Sequence, residues 1–187
     1  MLHKVYQMAK PQPFMTNVQG TRHFACSAVA VQAIILNADE RVLLLSSPTR
    51  NRPGEWQIIS GGLEAAETVL AGVLREVREE AGPQVQVRPL GVVHAHTFHF
   101  DDHVPYMIGI YYLCAYEGGV VQPGDDMWDA QYRWWSIEEL SAANVQFHPS
   151  THLWMLQRAV TLYRLWKDQP AVPLQSDLAP VELEARL

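Results

Sequence analysis

Three glutamates of one short segment, Glu76, Glu79 and Glu80, are spaced i, i+3 and i+4. At roughly 100° per residue these positions fall within one arc of an α-helix, so their carboxylates share a face. Such a charge run is most often a solvated acidic face, because like charges at this spacing cost little. Carboxylates that are held together also need a counter-cation, and their hard oxygens select Mg²⁺ or Mn²⁺ over Zn²⁺.

The element that positions these acids is predicted to be an amphipathic helix from Thr68 to Ala81. Gly82 and Pro83 then end the helix, as such residues commonly do. The apolar stripe lies away from Glu76 on the helical wheel, so the helix can bury that stripe and direct the acids into a cleft. The stripe consists of Leu70, Val73, Leu74, Val77 and Ala81.

The wider spacing of fixed residues, from Gly61 onward, is more specific than the helix alone. It resembles the box of the Nudix hydrolase superfamily, a MutT-like G-x5-E-x7-R-E-U-x-E-E-x-G-U pattern in which U is aliphatic, here at residues 61–83. All seven fixed residues are present: Gly61, Glu67, Arg75, Glu76, Glu79, Glu80 and Gly82. The departures are Ile59 for a common proline, Ser60 and Ala66 for common glycines, and Pro83 for the last aliphatic residue. None of them removes a carboxylate.

The resemblance implies a Mg²⁺ site, with Mn²⁺ as an alternative, and a role for each matching residue. The implied metal ligands are the backbone carbonyl of Ser60 and the side chains of Glu76, Glu79 and Glu80. The implied catalytic residues are Arg75, Glu76 and Glu79: one acid deprotonates the attacking water, and Arg75 orients the acids through an ion pair. Which glutamate acts as the base is left open.

Charged residues outside the box provide further candidates for the site. Arg50 and Arg52 lie in the loop before Trp56, where cations can reach a diphosphate, so both are predicted to bind substrate. Asp125, Asp126 and Asp129 lie where many members of the superfamily place an additional acidic residue, and the alignment does not decide among the three.

A second group of candidates is rich in histidine and aromatic residues. Its histidines and aspartates do not have the convergent spacing of a zinc site, so an exposed or substrate-lining loop is favoured. Aromatic side chains of the same region can stack on a base, although such residues more often pack in the core. The group comprises His94, His96, His99, Asp101, Asp102 and His103, with Phe98, Tyr106 and Trp128 as the aromatic residues.

The alternation of strand-like and helical segments predicts an α/β fold, a Nudix-type α/β/α sandwich around a mixed β-sheet. The predicted strands are 24–36, 41–46, 56–59, 84–96, 107–116 and one from Tyr132. The glycines 61 and 62 are expected to break the third strand, and helices are expected after Trp135 and at 148–167. Residues 1–20 are expected to be irregular, 21–168 to form the domain, and 169–187 to form a flexible C-terminal tail.

Composition narrows the class of protein. The net charge of −6 argues against a nucleic-acid binder, because such binding depends on Lys and Arg. No signal peptide and no apolar stretch of membrane-spanning length is found, and two cysteines in apolar contexts, Cys26 and Cys114, fit free thiols. A cytoplasmic protein without a membrane or nucleic-acid partner is therefore expected, and a homodimer is left open.

The sequence thus predicts a Mg²⁺-dependent pyrophosphatase that cleaves a diphosphate linkage in a nucleoside diphosphate derivative by attack of water on phosphorus. The nucleotide is not determined: ADP-ribose, a dinucleoside polyphosphate and a damaged nucleoside triphosphate are all compatible with the box. Two alternatives are a catalytically silent nucleotide-binding module and an isopentenyl-diphosphate isomerase. The isomerase requires a dedicated cysteine, and neither Cys26 nor Cys114 has a recognisable context for that role.

Overall fold

The structure, a computed structural model, describes residues 12–124 and 127–169. Its strands are β1 (Phe14–Thr16), β2 (His23–Ala25), β3 (Ala28–Leu36), β4 (Val42–Ser46), β5 (Glu55–Trp56), β6 (Ile59–Gly62), β7 (Gln86–Phe98), β8 (Met107–Gly118), β9 (Gln131–Trp135) and β10 (Gln146–Phe147). Its helices are α1 (Val69–Glu76), continued by a π-helical turn over Val77–Ala81, then α2 (Ile137–Ala142) and α3 (Leu153–Trp166).

The central sheet is mixed, with the order β7-β8-β3-β4-β9 and with β6 paired to β3. β3 and β8 are parallel, and the other pairs of this sheet are antiparallel. The inner strands β3 and β4 are almost entirely buried, because both faces of the sheet are covered. The α/β sandwich predicted from the sequence is confirmed.

Each face of the sheet has its own core. The alternate residues Val31, Ala33 and Ile35 of β3 pack with Val73 and Val77 of the first helix. The intervening residues of β3, Ile34 and Leu36, pack on the opposite face with residues of α3: Met155, Leu156, Ala159, Val160 and Tyr163. Side chains that alternate along a strand therefore reach different layers of the molecule.

The expectation that Gly61 and Gly62 break a strand is wrong. Both belong to β6, where Val31 is paired with Gly61 and Ala30 with Gly62. Pairing uses backbone groups, so the absence of side chains does not prevent it. The break lies earlier in the chain: β5 ends at Trp56 and pairs with β10, and β6 begins at Ile59.

The N-terminal segment also differs from expectation. Residues 1–20 were expected to be irregular, but Phe14–Thr16 forms β1 and pairs with β2 in a two-stranded ribbon. The strand expected over 24–36 is accordingly two strands, β2 and β3. Residues 1–11 and the expected flexible tail from residue 170 onward lie outside the described residues.

The last helix begins at Leu153 rather than at His148. Pro149 follows His148, and a residue that precedes proline disfavours helical geometry. The segment instead bonds to the strands: the amide of His148 donates to the carbonyl of Trp56, and the amide of Ile58 donates to Oγ1 of Thr151. Among the described residues, no helix is long and apolar enough to cross a membrane.

Candidate active site

Arg75 is the centre of the candidate site. Its Nε and Nη2 each lie 3.0 Å from a carboxylate oxygen of Glu67, and Nη2 also donates to the carbonyl of Gly62 at 2.8 Å. Its Nη1 donates to Glu76 at 2.6 Å and to Glu79 at 2.8 Å. These carboxylates raise the pKa of Arg75 above its ordinary value, with Glu67 as the largest cause. The guanidinium thereby holds together the strand, the loop and the helix.

The helix that carries the acids begins at a regular cap and ends in a π-helical turn. Oγ1 of Thr68 accepts from the amide of Ala71 at 3.2 Å, which satisfies one otherwise free amide. After Glu76 the chain forms the π-helical turn, a local widening that is frequent at functional sites. The turn ends at Gly82, whose φ of 115° is accessible to glycine but costly for other residues.

Two of the three acids are more buried than their common helical face predicted. Glu76 is 7% exposed and Glu80 is 2% exposed, whereas the Glu79 side chain is 37% exposed. A helical wheel represents an isolated helix, whereas in the fold β6 packs against Glu76 and Glu80. Glu79 is therefore the most exposed of the three acids.

Glu76 lies directly against the backbone of β6. A Cβ atom added to Gly61 would collide with the Glu76 carboxylate, so the box requires glycine at this position for close approach. Burial raises the pKa of Glu76, and the hydrogen bond and charge of Arg75 act in the opposite direction.

Glu80 reaches the same strand one residue earlier. Its Oε2 accepts a hydrogen bond from the amide of Ser60 at 2.9 Å. Burial raises the pKa of Glu80 to about 8, because desolvation outweighs that hydrogen bond, and the charge of Glu76 adds to the rise. A divalent cation that binds this carboxylate must therefore displace a proton near neutral pH.

An open cleft of about 560 Å³ lies beside these groups. Most of the predicted site residues line it, and Glu64, which the sequence analysis did not select, also does. The lining residues are Arg50, Ser60, Gly61, Gly62, Glu64, Arg75, Glu76 and Glu79. Glu64 belongs to the variable stretch of the box, so no spacing rule identified it.

The two loop arginines differ in position. Arg50 lines the cleft, whereas Arg52 does not. The Arg52 side chain is 86% exposed and its Nε lies 3.9 Å from a carboxylate oxygen of Glu55. The Arg52 amide also donates to Glu55, across the turn at Pro53 and Gly54. Because Arg52 does not line the cleft, its position does not support the prediction that it binds substrate.

Asp129 has a structural position outside the cleft lining. Its Oδ1 accepts from Oγ of Ser47 at 2.5 Å, and hydrogen bonds from Ser47 and Thr49 lower its pKa. Ser47 begins the loop that carries Arg50, and Oδ1 of Asn51 accepts from the Ser47 amide at 2.8 Å. Asp129 thus stabilises the loop that carries Arg50, a role that the sequence did not reveal. Asp125 and Asp126 lie outside the described residues.

The donor atoms of the site fit a hard divalent cation. Glu76, Glu79 and Glu80 with the carbonyl of Ser60 offer oxygen alone, and Mg²⁺ and Mn²⁺ prefer oxygen. Within residues 12–124 and 127–169, however, no three His, Cys, Asp or Glu side chains converge as metal ligands. Arg75 holds Glu76 and Glu79, and the amide of Ser60 holds Glu80. A cation must compete with these partners.

Among the described residues, the histidines of β7 and the two cysteine thiols do not form a metal site either. His94, His96 and their neighbours form no metal cluster among the described residues. Cys114 is buried, which raises its pKa to about 12, and Cys26 lines a separate pocket with Pro13 and Tyr106. Neither cysteine lines the cleft.

Comparisons with known proteins agree with this arrangement. A family model described as the NUDIX domain matches residues 27–159. The chain is 28% identical over 153 residues to Putative nudix hydrolase 1 of Caenorhabditis elegans, which covers 81% of this chain and 40% of that protein. It is 28% identical over 155 residues to the NAD-capped RNA hydrolase NudC of Stutzerimonas stutzeri, with 82% and 51% covered. The chain thus spans about half the length, or less, of these curated relatives.

Solved structures share the fold. The chain resembles an ADP-ribose pyrophosphatase from Streptococcus suis with a TM-score of 0.57 and 22% identity, covering 74% of this chain and 93% of that one. It also resembles a NUDIX hydrolase from Nitrosomonas europaea with a TM-score of 0.57 and 20% identity, covering 81% and 97%. At these identities, the agreement is one of fold.

Proposed function

Because the chain belongs to the NUDIX family and is a hydrolase, we propose that it cleaves a diphosphate linkage in a nucleoside diphosphate derivative in a Mg²⁺-dependent reaction. The observation that carries the proposal is the cleft that Glu76, Glu79, Arg75 and Arg50 line together. The family is generally dependent on divalent metals, and the choice of Mg²⁺ rests on the all-oxygen donor set. Mn²⁺ is the expected substitute.

The box residues at the cleft have distinct proposed roles. The cation would be held by Glu76, Glu79, Glu80 and the carbonyl of Ser60. When bound, it would lower the pKa of a bound water and neutralise charge on the phosphate oxygens. A carboxylate that lines the cleft, Glu76 or Glu79, takes the proton of the attacking water. Arg75 fixes the orientation of both acids.

In the proposed reaction, the water oxygen forms a bond to one phosphorus, and the bond from that phosphorus to the bridging oxygen breaks. The bridging oxygen leaves with the electron pair on the second phosphate. Arg50, which lines the cleft, is proposed to bind the phosphate oxygens and to compensate their charge. When the diphosphate joins two organic groups, the products are two phosphate monoesters.

Names of related proteins support a nucleotide substrate without selecting one. They include hydrolases of NAD-capped RNA, 8-oxo-dGDP and, by fold, ADP-ribose. The net charge of −6 favours a small molecule over a long polyanion. Both cysteines are free, which fits a reducing cytoplasm, and we propose residues 21–168 as the catalytic domain.

The silent binding module and the isomerase are less well supported than hydrolysis. The box acids and Arg75 are all present and connected, so no part of the catalytic set is missing. An isomerase would need a cysteine in the cleft, and Cys26 and Cys114 both lie elsewhere.

The test is a panel of nucleotides incubated with the full chain in ¹⁸O-water. ADP-ribose, a dinucleoside polyphosphate and 8-oxo-dGDP are compared with Mg²⁺, with chelator and with Zn²⁺. We expect one phosphate-bearing product to carry the label, activity to vanish with chelator and return with Mg²⁺, and Zn²⁺ to restore it poorly. Label on a sugar carbon, or full activity in chelator, would contradict the proposal.

A further inference from the structure

The loop that carries Arg50 joins β4 to β5 and is built from two consecutive turns. In the first turn, the amide of Asn51 donates to the carbonyl of Ser47 at 2.8 Å, and the Ser47 amide donates to Oδ1 of Asn51 at 2.8 Å. In the second turn, the amide of Glu55 donates to the carbonyl of Arg52, and the Arg52 amide donates to the Glu55 carboxylate. Arg50 therefore lies within a turn that hydrogen bonds close at both ends.

Asn51 differs from its neighbours in burial. Within residues 48–54, all of which the structure describes, the other residues are exposed, whereas Asn51 is 7% exposed. Asparagine is mostly found at the surface, and burial of its amide is costly unless its hydrogen bonds are made. The Ser47 amide satisfies the side-chain oxygen of Asn51. Its Nδ2 donates to Oε1 of Gln57 at 2.7 Å, and this bond leads out of the loop.

Gln57 is fixed in the sheet by its backbone. Its amide and its carbonyl both bond to Leu45, at 2.9 Å each, in an isolated antiparallel bridge. Gln57 is 5% exposed, and its Nε2 lies 3.9 Å from the sulfur of the buried Met127. The hydrogen bond between Asn51 and Gln57 thus joins the turn that contains Arg50 to a position held by sheet hydrogen bonds.

The same short segment leads into the box. Ser60, whose carbonyl is a proposed metal ligand, follows Gln57 by three residues and lines the cleft. Between them, the amide of Ile58 donates to Oγ1 of Thr151 at 3.1 Å, which fixes the backbone of the segment. One segment therefore positions both the backbone of the proposed metal site and the partner of Asn51. The place of Arg50 relative to that site depends on the bond between Asn51 and Gln57.

A second contact holds the first turn through Ser47. Its Oγ donates to Oδ1 of Asp129 at 2.5 Å and accepts from the Arg50 amide at 3.3 Å. This contact involves a charged group and is partly buried, whereas the bond between Asn51 and Gln57 is neutral and buried. Removal of either partner of the neutral bond leaves the other partner unsatisfied in a buried place, so the turn is then free to shift.

We propose that Asn51 is a positioning residue of the active site: its bond to Gln57 fixes the turn so that Arg50 is held at the cleft to receive the phosphate oxygens. A cation on a fixed turn loses less conformational freedom when a ligand binds than one on a mobile loop, so it binds more tightly. The inference rests on the proposed function, since it requires that Arg50 bind the diphosphate.

The test is a double-mutant cycle between Asn51 and Arg50, measured by equilibrium binding to the full chain. The probe is methylenediphosphonate with Mg²⁺, a diphosphate analogue whose bridging carbon is not hydrolysed. We expect Asn51→Ala to weaken binding about fivefold when Arg50 is present and less than about twofold when Arg50 is already alanine, because residues that act through one contact are not additive. Gln57→Met, which conserves volume but removes the acceptor oxygen, should reproduce the effect of Asn51→Ala.

Asn37→Ala is the matched control. Asn37 closes the loop between β3 and β4 in a similar way, because its Oδ1 accepts from the amides of Asp39 and Arg41 at 3.0 Å each. That loop lies at the other end of β4 from Arg50, so this variant should lower Tm without weakening the binding of the probe. In steady-state kinetics, Asn51→Ala should raise KM more than it lowers kcat, a division that loss of stability alone does not produce.

Equal weakening by Asn51→Ala with and without Arg50 would overturn the inference, since Asn51 would then act independently of the arginine. The same conclusion follows if Asn37→Ala weakens binding as much as Asn51→Ala does. It also follows if Arg50→Ala binds the probe as the wild type does, or if the wild type does not bind it measurably.

Failure of the inference is distinguishable from failure of the proposed function. If no nucleotide of the panel is hydrolysed while binding of methylenediphosphonate depends on Asn51 through Arg50, the proposed function fails and the positioning role stands. If a nucleotide is hydrolysed and Asn51→Ala changes neither its KM nor the affinity for the probe, the positioning role fails and the proposed function stands.

Discussion

The candidate cleft and the opposite face of the sheet around Gln32 differ in how their polar groups are paired. At the cleft, Arg75 bonds Glu67, Glu76, Glu79 and a backbone carbonyl, and Glu80 bonds a backbone amide. On the opposite face, Gln32 is buried with an oxygen that has no partner among the described residues. The charged groups of the cleft are thus held in place by protein partners, whereas the Gln32 oxygen is not.

Two adjacent glycines lie between these regions. A Cβ atom added to Gly61 would collide with the Glu76 carboxylate, whereas one added to Gly62 would meet nothing within 4 Å. Neighbouring residues of a strand project to opposite faces, so substitutions at the two glycines disturb different faces of the sheet.

The strongest test of the cleft is Glu76→Gln. We expect kcat to fall by two orders of magnitude or more, because the amide neither binds a cation nor accepts the proton of water as a carboxylate does. Glutamine keeps the volume and one acceptor oxygen, so the variant should fold. Glu138→Gln, on the exposed side of α2, is the control. Turnover within threefold of the wild type would remove Glu76 from the catalytic set.

Gly61→Ala and Gly62→Ala form a matched pair. The first adds a methyl group where the Glu76 carboxylate lies, and we expect kcat to fall about 10- to 100-fold as that acid is displaced. The second adds it to open space, so kcat should change little. Steady-state kinetics of both variants will show this. Equal losses of kcat would show that the contact between Gly61 and Glu76 is not the cause.

Arg50→Ala is compared with Arg52→Ala. Arg50 lines the cleft, and a cation that positions phosphate acts on ground state and transition state alike, so KM should rise about tenfold and more than kcat falls. Arg52 lies outside the lining, and its replacement should leave both constants within twofold. An unchanged KM for Arg50→Ala would exclude a role in phosphate binding.

The smallest effect concerns stability without metal. Burial raises the pKa of Glu80 from 4.5 to about 8 in the folded chain, so the unfolded chain ionises first as pH rises. The protonated Glu80 therefore contributes its full stabilisation of the folded chain below about pH 4.5, and this stabilisation is lost progressively as pH rises to about 8. Glu80→Gln does not ionise, so in chelator its Tm should exceed that of the wild type by about 4 °C or more near pH 8.

The difference in Tm should shrink as pH falls and should vanish below about pH 4, where Glu80 is protonated in both states. Mg²⁺ should reverse the order, since binding stabilises only the chain that keeps the carboxylate. A Tm difference that is independent of pH would show that Glu80 is not the titrating group. A homodimer, which the sequence left open, stays a prediction for measurement of molecular mass in solution.

What the sequence determined by itself is local. The helix that begins near Thr68 and its end at Gly82 follow from spacing within residues 61–83, because one continuous segment carries them. The sandwich also followed from the alternation of strand-like and helical segments. These features depend on near neighbours in the chain, whose geometry is fixed by helix and strand periodicity.

Only the tertiary structure decided the burial of Glu76 and Glu80, because β6 covers a face that an isolated helix exposes. It also showed that Arg50 lines the cleft whereas Arg52 contacts Glu55. Asp129 was found to stabilise the loop that carries Arg50. The row of Ser60, Gln32, Tyr111 and His94 could not be read from any segment, since its residues come from four strands far apart in sequence. Register between strands brings them together, and register is set by the packing of both faces.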